Sequence, residues 1–147
     1  MKKNSVKAVV DTQLFLRAAI NPNSLASKLI FDLDEMYVLV ASKAIVTEAR
    51  NVLYRWEIRI KFPHLTDRIA ERILAAFARA EIVEPEDVPT VSRDSKDDKF
   101  IVCAVAAKAN YIVSEDKDVL VLNPYQGIQI INALDFLRVL QDLPPET

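Results

Sequence analysis

The stretch RDSKDDKFIVCAVAAKANYIVSEDKDVLVL, residues 93–122, decides the fold. Its acidic start leads into a helix-length segment, Asp97 to Asn110, that is apolar nearly all round and is therefore expected to be buried on most sides. A short apolar strand comes next at Tyr111 to Val113, then a Ser-Glu-Asp step at Ser114 to Asp116. Buried helices that alternate with short apolar strands belong to an α/β fold with a mainly parallel sheet. The flanking sequence carries the same alternation. Upstream, Val6 to Val10 predicts a first strand and Gln13 to Ile20 a helix; after the Asn-Pro-Asn turn a second helix runs from Ser24 to about Leu33. Tyr37 to Ala41 predicts a strand, and Ser42 is placed to cap the next helix. From Lys43 to about Ile60 that helix is expected, with Ile45, Val46, Ala49, Val52, Leu53 and Trp56 on its inward arc and Glu48 just beside that arc. Thr66 or Asp67 opens a helix with Ile69, Ile73, Ala76, Phe77 and Ala80 inward, Glu81 to Val83 is a brief strand, and Glu84 to Asp94 is the longest loop. Downstream, Asp116 to Leu120 reads as a turn, Ile128 to Ile131 as the last strand and Ala133 to Leu140 as a closing helix.

The 147 residues suit a single domain, 1–147, with about half its residues apolar and both charge signs interspersed. The longest apolar run, Phe100 to Ala107, is far shorter than the roughly 20 residues that cross a bilayer, so no membrane partner is expected. The basic start meets Asp11 too soon for a signal peptide, and a cytoplasmic protein is expected. Counting removes several chemistries. With Gly127 the sole glycine, neither a GxxxxGK loop nor a GxGxxG turn exists here. One cysteine and one histidine exclude a Cys/His zinc site within the chain and any intramolecular disulfide. Cys103, inside FIVCAVAA, is expected in the core with an inert thiol, and His64, in KFPHLT, on the surface. Carboxylates are what remains for catalysis.

In a doubly wound sheet, ligands bind beyond the carboxyl ends of the strands. Asp11 directly follows the strand KAVV, and Asp116 follows YIVSE, which places both at that edge. Asp98 begins the buried helix and is expected to point the same way as Val102 and Val105, and Glu48, one turn into its own helix, can reach the same crevice. Capping offers a plainer role: Ser95 to Asp98 matches a capping box, Asp11 can cap the helix at Gln13, and Asp116 the turn at Lys117. Two carboxylates about 4 Å apart, however, repel by about 4 kcal/mol at an effective dielectric of about 20, a cost that a bound cation removes. Hard oxygen ligands suit Mg²⁺ or Mn²⁺, which activate water and clamp phosphodiesters.

VVDTQLFL (9–16), IVTEARNVLYR (45–55), the 93–122 segment and GIQIINALDFLRVL (127–140) together resemble, in order and spacing, the PIN domain, and most closely the PIN-family toxin components of prokaryotic toxin-antitoxin pairs. The resemblance runs from about Val6 to Leu140. It implies a three-layer α/β/α sandwich and a Mg²⁺-dependent endoribonuclease whose metal-binding catalytic acids fall on Asp11, Glu48, Asp98 and Asp116, supported by Thr12 and by the hydroxyl of Ser114. It also implies an RNA substrate and an antitoxin protein as partners, and leaves a homodimer open. Gln13 stands where many relatives carry Asn or Ser, and Glu115 where a residue without negative charge is usual. Those two positions motivate an alternative, a catalytically inactive PIN-fold scaffold that binds RNA or protein. A phosphate-receiver domain shares the size and the acid pocket, but no lysine stands near GIQII and no acidic pair follows the first strand.

The net charge of −2 excludes strong uniform attraction to phosphate backbones but permits a local basic rim. Arg50, Arg55, Arg59 and Lys61 lie around or just after the Glu48 helix, and Arg93, Lys96 and Lys99 surround Asp98. Arg50, Arg55, Lys96 and Lys99 are the expected RNA contacts, with ordinary solvated surface the competing account.

Overall fold

Five short strands, β1 (Lys7–Val10), β2 (Val38–Ser42), β3 (Glu81–Val83), β4 (Tyr111–Val113) and β5 (Gln129–Ile131), form one sheet in the order β3-β2-β1-β4-β5. Every pairing is parallel, with Val9 opposite Val40 on one side and Ile112 on the other. The computed structural model describes residues 6–85 and 98–143. The expected contact Lys96, its basic neighbour Arg93, the capping box at Ser95, and most of the loop from Glu84 to Asp94 lie outside the described residues. Because parallel strands are covered on both faces, the central one reads as an unbroken apolar run, and Ala8 and Val9 are fully buried.

The helices are α1 (Thr12–Ile20), α2 (Leu25–Ser27), α3 (Lys43–Leu53), α4 (Trp56–Lys61), α5 (Asp67–Leu74), α6 (Asp98–Ala107), α7 (Lys117–Leu120) and α8 (Ala133–Asp142). Side chains at the expected places fix their starts: Ser24, Ser42, Thr66 and Asn132 each accept a hydrogen bond from a first-turn backbone N–H. A π-helical turn, Lys28–Asp32, continues α2, and a 3-10 segment, Ala75–Arg79, continues α5. Going from β1 to β2 to β3 the chain moves one way across the sheet; from β3 to β4 it returns past β1. Right-handed crossovers therefore put α6 on the face opposite α1 and α3, which gives the three-layer α/β/α sandwich. α1, α3 and α5 pack on one another, and α6 lies across β1, β2, β3 and β4. Ahead of β5, Gln126 and Gly127 both take positive φ, 49° and 82°, in the tight turn closed by Tyr125 and Ile128. A two-residue turn of that kind suits the only glycine in the chain.

Three expectations need correction. The helix predicted from Lys43 to Ile60 is two helices: Arg55 is extended (φ −67°, ψ 126°), so α3 ends at Leu53 and α4 starts afresh at Trp56. The Leu53 carbonyl that the break would strand accepts instead from Arg59 Nε at 2.7 Å. One extended residue loses the helical phase, so Trp56, expected inward, is 67% exposed, as is Ile60. α6 is buried less completely than its composition predicts, because Val105 and Ala106 face outward. Val105 therefore does not share the direction of Asp98 and Val102, which are both buried. Asp116 to Leu120 is a one-turn helix with Asp116 as its cap, not a bare turn. Among the described residues no helix is long and apolar enough to cross a membrane.

Candidate active site

Strand order reverses between β1 and β4, and that is where an open parallel sheet leaves a crevice at its carboxyl edge. Asp11 leaves β1 there and Ser114 leaves β4. The Asp11 backbone N–H donates to the Val113 carbonyl at 2.9 Å, which extends the ladder by one bond and sets the two side chains next to each other. Ser114 Oγ donates to Asp11 Oδ2 at 2.7 Å and accepts from the Asp116 N–H at 3.0 Å. Asp11 Oδ1 accepts from the Gln13 N–H at 3.1 Å, and Asp116 Oδ1 from the Asp118 N–H at 2.9 Å. Asp11 and Asp116 are thus both helix caps and neighbours in one corner; the capping role and the clustering role coexist on the same side chains.

Asp11 is buried, and burial pushes its carboxyl above the usual aspartate range. The hydrogen bonds from Ser114 and Gln13 pull it back, while the negative charges of Glu48 and Asp116 raise it further. Glu48 is therefore close enough to be felt at Asp11 although it comes from a different strand connection. Its own carboxylate is half-buried and pairs with the ammonium of Lys99. Asp98, the first residue of α6, is buried beside that lysine. Among the described residues no three carboxylate, thiol or imidazole groups are gathered closely enough to hold an ion between them. The structure joins Asp11, Ser114 and Asp116 directly, couples Glu48 to them through its charge, and turns Glu48 toward Lys99.

The groups in and around this corner suit a hard cation in kind: they are carboxylates and hydroxyls, without thiolate or imidazole. Thr12, at the start of α1, adds a fully buried Oγ1 that makes no hydrogen bond, an orphaned oxygen beside Asp11. Cys103 is far from such service, because burial in the apolar face of α6 pushes its thiol up to about 12. His64 is exposed, as its loop sequence predicts.

An open groove of about 660 Å³ runs beside Glu48 along the outer side of α3, lined by Lys43, Thr47, Asn51, Arg55 and Glu84. Arg50 and Arg55 are exposed. Glu84 is a further acid that no motif marks; it comes directly after β3, so the strand-end rule that selects Asp11 and Asp116 selects it too. Glu115 and Gln13, the two departures from the resemblance, have other occupations. Glu115 Oε2 accepts from the Ala133 N–H at 2.8 Å, capping α8, and Gln13 is exposed on the first turn of α1.

A five-stranded parallel sheet in the order 3-2-1-4-5, with a buried aspartate at the point where the order reverses, defines an α/β protein with an acidic edge site. The PIN domain family model matches residues 7–118, a stretch that includes all four acids, and the chain belongs to the PIN domain family. It is similar to the uncharacterized protein MJ1680 of Methanocaldococcus jannaschii, with 36% identity over 138 residues, 90% of this chain and 86% of that protein. Among solved structures it is similar to PAE2754 from Pyrobaculum aerophilum, at a TM-score of 0.60 and 19% identity over 92% of this chain and 90% of that one. It is also similar to VapBC2 from Rickettsia felis, solved bound to a DNA fragment from their promoter, at a TM-score of 0.56 and 11% identity over 86% of this chain and 98% of that one. Both structural likenesses speak to the fold.

Proposed function

We propose that this PIN-domain protein is a metal-dependent endoribonuclease that hydrolyses RNA phosphodiesters, and that it is the toxin of a toxin-antitoxin pair. The observation that carries the reading is Asp11. It is a buried carboxylate at the switch point of the sheet, crowded by the charges of Glu48 and Asp116, beside an unpartnered Thr12 hydroxyl. A fold has little reason to hold a carboxylate in such a place for stability alone. Asp11, Glu48, Asp98 and Asp116 are the proposed ligands of Mg²⁺ or Mn²⁺. A divalent cation at this edge supplies activated water and a clamp for the phosphodiester. Ser114 orients Asp11 through its hydrogen bond and ties Asp116 to it through the backbone. Arg55, on the groove beside Glu48, would hold the phosphates of a single strand as it leaves the acids. Arg50 and Lys99 complete the proposed RNA contacts within the described residues.

A toxin needs an inhibitor, and an antitoxin that places an Arg or Lys among these acids would satisfy them with charge-assisted hydrogen bonds. The resemblance to toxin components and the similarity to a VapBC structure support that partner. Of the two residues that motivate the inactive-scaffold alternative, Glu115 caps α8 and Gln13 is exposed on the first turn of α1. The test is digestion of a single-stranded RNA pool by the purified chain in Mn²⁺ or Mg²⁺. Cleavage that EDTA abolishes is expected, and metal binding without any cleavage would replace the ribonuclease with the scaffold.

A further inference from the structure

We infer that Lys99 is the built-in counter-cation of the acidic crevice: its ammonium holds Glu48 in the metal-free protein, and a divalent ion must displace it to gain Glu48 as a ligand. The inference rests on the metal reading above and assigns this chain a positioning residue for that site. Lys99 and Asp98 are consecutive on the first turn of α6, and Glu48 stands on α3, which comes close to α6 although the two lie on opposite faces of the sheet. The ion pair therefore bridges the two outer layers of the sandwich across the carboxyl edge of the sheet. Its side chains are only 23% and 30% exposed, so solvent screens it less than it screens an ordinary surface pair. The lysine is anchored as well, with its ammonium 5.4 Å from the centre of the Phe100 ring.

An ammonium in that place does for Glu48 what a metal would do, and at lower charge. Removing it acts on metal affinity in one direction by three routes. Glu48 loses its competing partner, the incoming cation loses a like charge, and the metal-free acids lose the neutralisation that made them tolerable. All three favour tighter binding of the ion, so Lys99 sets the metal affinity of the site below what its carboxylates alone would give.

The experiment is calorimetric titration of Mn²⁺ into the parent, Lys99→Met, Lys99→Arg and Lys43→Met. Methionine keeps an unbranched apolar side chain without the charge, arginine keeps the charge, and Lys43→Met removes an equal charge from the groove beside Glu48, where no ion pair with Glu48 is made. Lys99→Met should bind Mn²⁺ about tenfold tighter than the parent, with Lys99→Arg and Lys43→Met within about twofold of it. If Lys99→Met does not fold, as judged by circular dichroism, Lys99→Gln carries the same expectation. Equal or weaker binding by the neutral variant overturns the inference, as does an equal gain from Lys43→Met, which would make the effect one of general field. A parent that binds no Mn²⁺ removes the metal reading itself, an outcome distinct from a parent that binds and a Lys99 variant that does not differ.

Discussion

Asp11 and Glu48 are acids at the same edge of the same sheet, and they are held in opposite ways. Asp11 follows a central strand, and both its carboxylate oxygens are committed, one to a backbone N–H of its own helix and one to the hydroxyl of Ser114 on the neighbouring strand. Glu48 rides on a helix face, and its tie is an ion pair with Lys99. A strand end is fixed by the hydrogen-bond ladder on both sides, whereas a helix face fixes only a direction and leaves a long side chain to choose among partners. The strand-end corner is therefore preformed, and the helix side is the part of the site that can change partner.

The largest effect expected from that contrast is at Asp11. Asp11→Asn should lower RNA cleavage by about 10³-fold, the loss expected when a metal ligand is neutralised, as read from single-turnover digestion. The same variant should raise the melting temperature of the metal-free protein, since an asparagine keeps both hydrogen bonds, with that of Ser114 reversed, and buries no charge. A carboxyl raised above 3.8 stabilises the fold below its unfolded value and loses that contribution as pH rises through its folded value. The gain of Asp11→Asn over the parent should accordingly be larger at pH 7 than at pH 4, and an equal gain at both would show that the corner does not strain Asp11.

Next in size is Ser114→Ala, which strands the buried Asp11 Oδ2 and takes its acceptor from the partly buried Asp116 N–H. A loss of about 1–3 kcal/mol in chemical denaturation is expected. Glu48→Gln, on the exchangeable side, should cost less than about 1 kcal/mol, because it removes one ion pair and at the same time relieves Asp11 of a like charge. If Glu48→Gln proved the more costly of the two, the contrast between preformed corner and adaptable side would be reversed. Smallest is Trp56→Ala, within about 0.5 kcal/mol of the parent, since Trp56 is 67% exposed. Had α3 and α4 been the single helix that the apolar arc suggests, the same substitution would cost about 3–5 kcal/mol.

Trp56 also marks how far the sequence can be read. The arc Ile45, Val46, Ala49, Val52, Leu53 and Trp56 has the right period, but periodicity cannot register one extended residue, and Arg55 is that residue. In α6 the limitation is different. Apolar composition fixes the amount of greasy surface but not which part the sheet is wide enough to cover, and Val105 is left outside. Glu115 stands out in the sequence as a departure from the family pattern, and no local window shows that its carboxylate accepts from the N–H of Ala133, 18 residues away in the chain.

By itself the sequence determined the alternation of strands and helices, the caps that start the helices, the exclusion of glycine-rich phosphate loops and of a Cys/His zinc site within the chain, and the placement of Asp11 and Asp116 at strand ends. Those are local properties, set by periodicity, by first-turn hydrogen bonding and by residue inventory. Tertiary structure alone decided that β1 and β4 are neighbours, so that Ser114 bonds Asp11 across 103 positions of sequence. It alone decided that α3 and α6 meet at the carboxyl edge of the sheet, where Lys99 closes on Glu48. Which strands pair and which helix ends approach depends on how the apolar faces of the whole chain are buried together, and no window of sequence contains that sum.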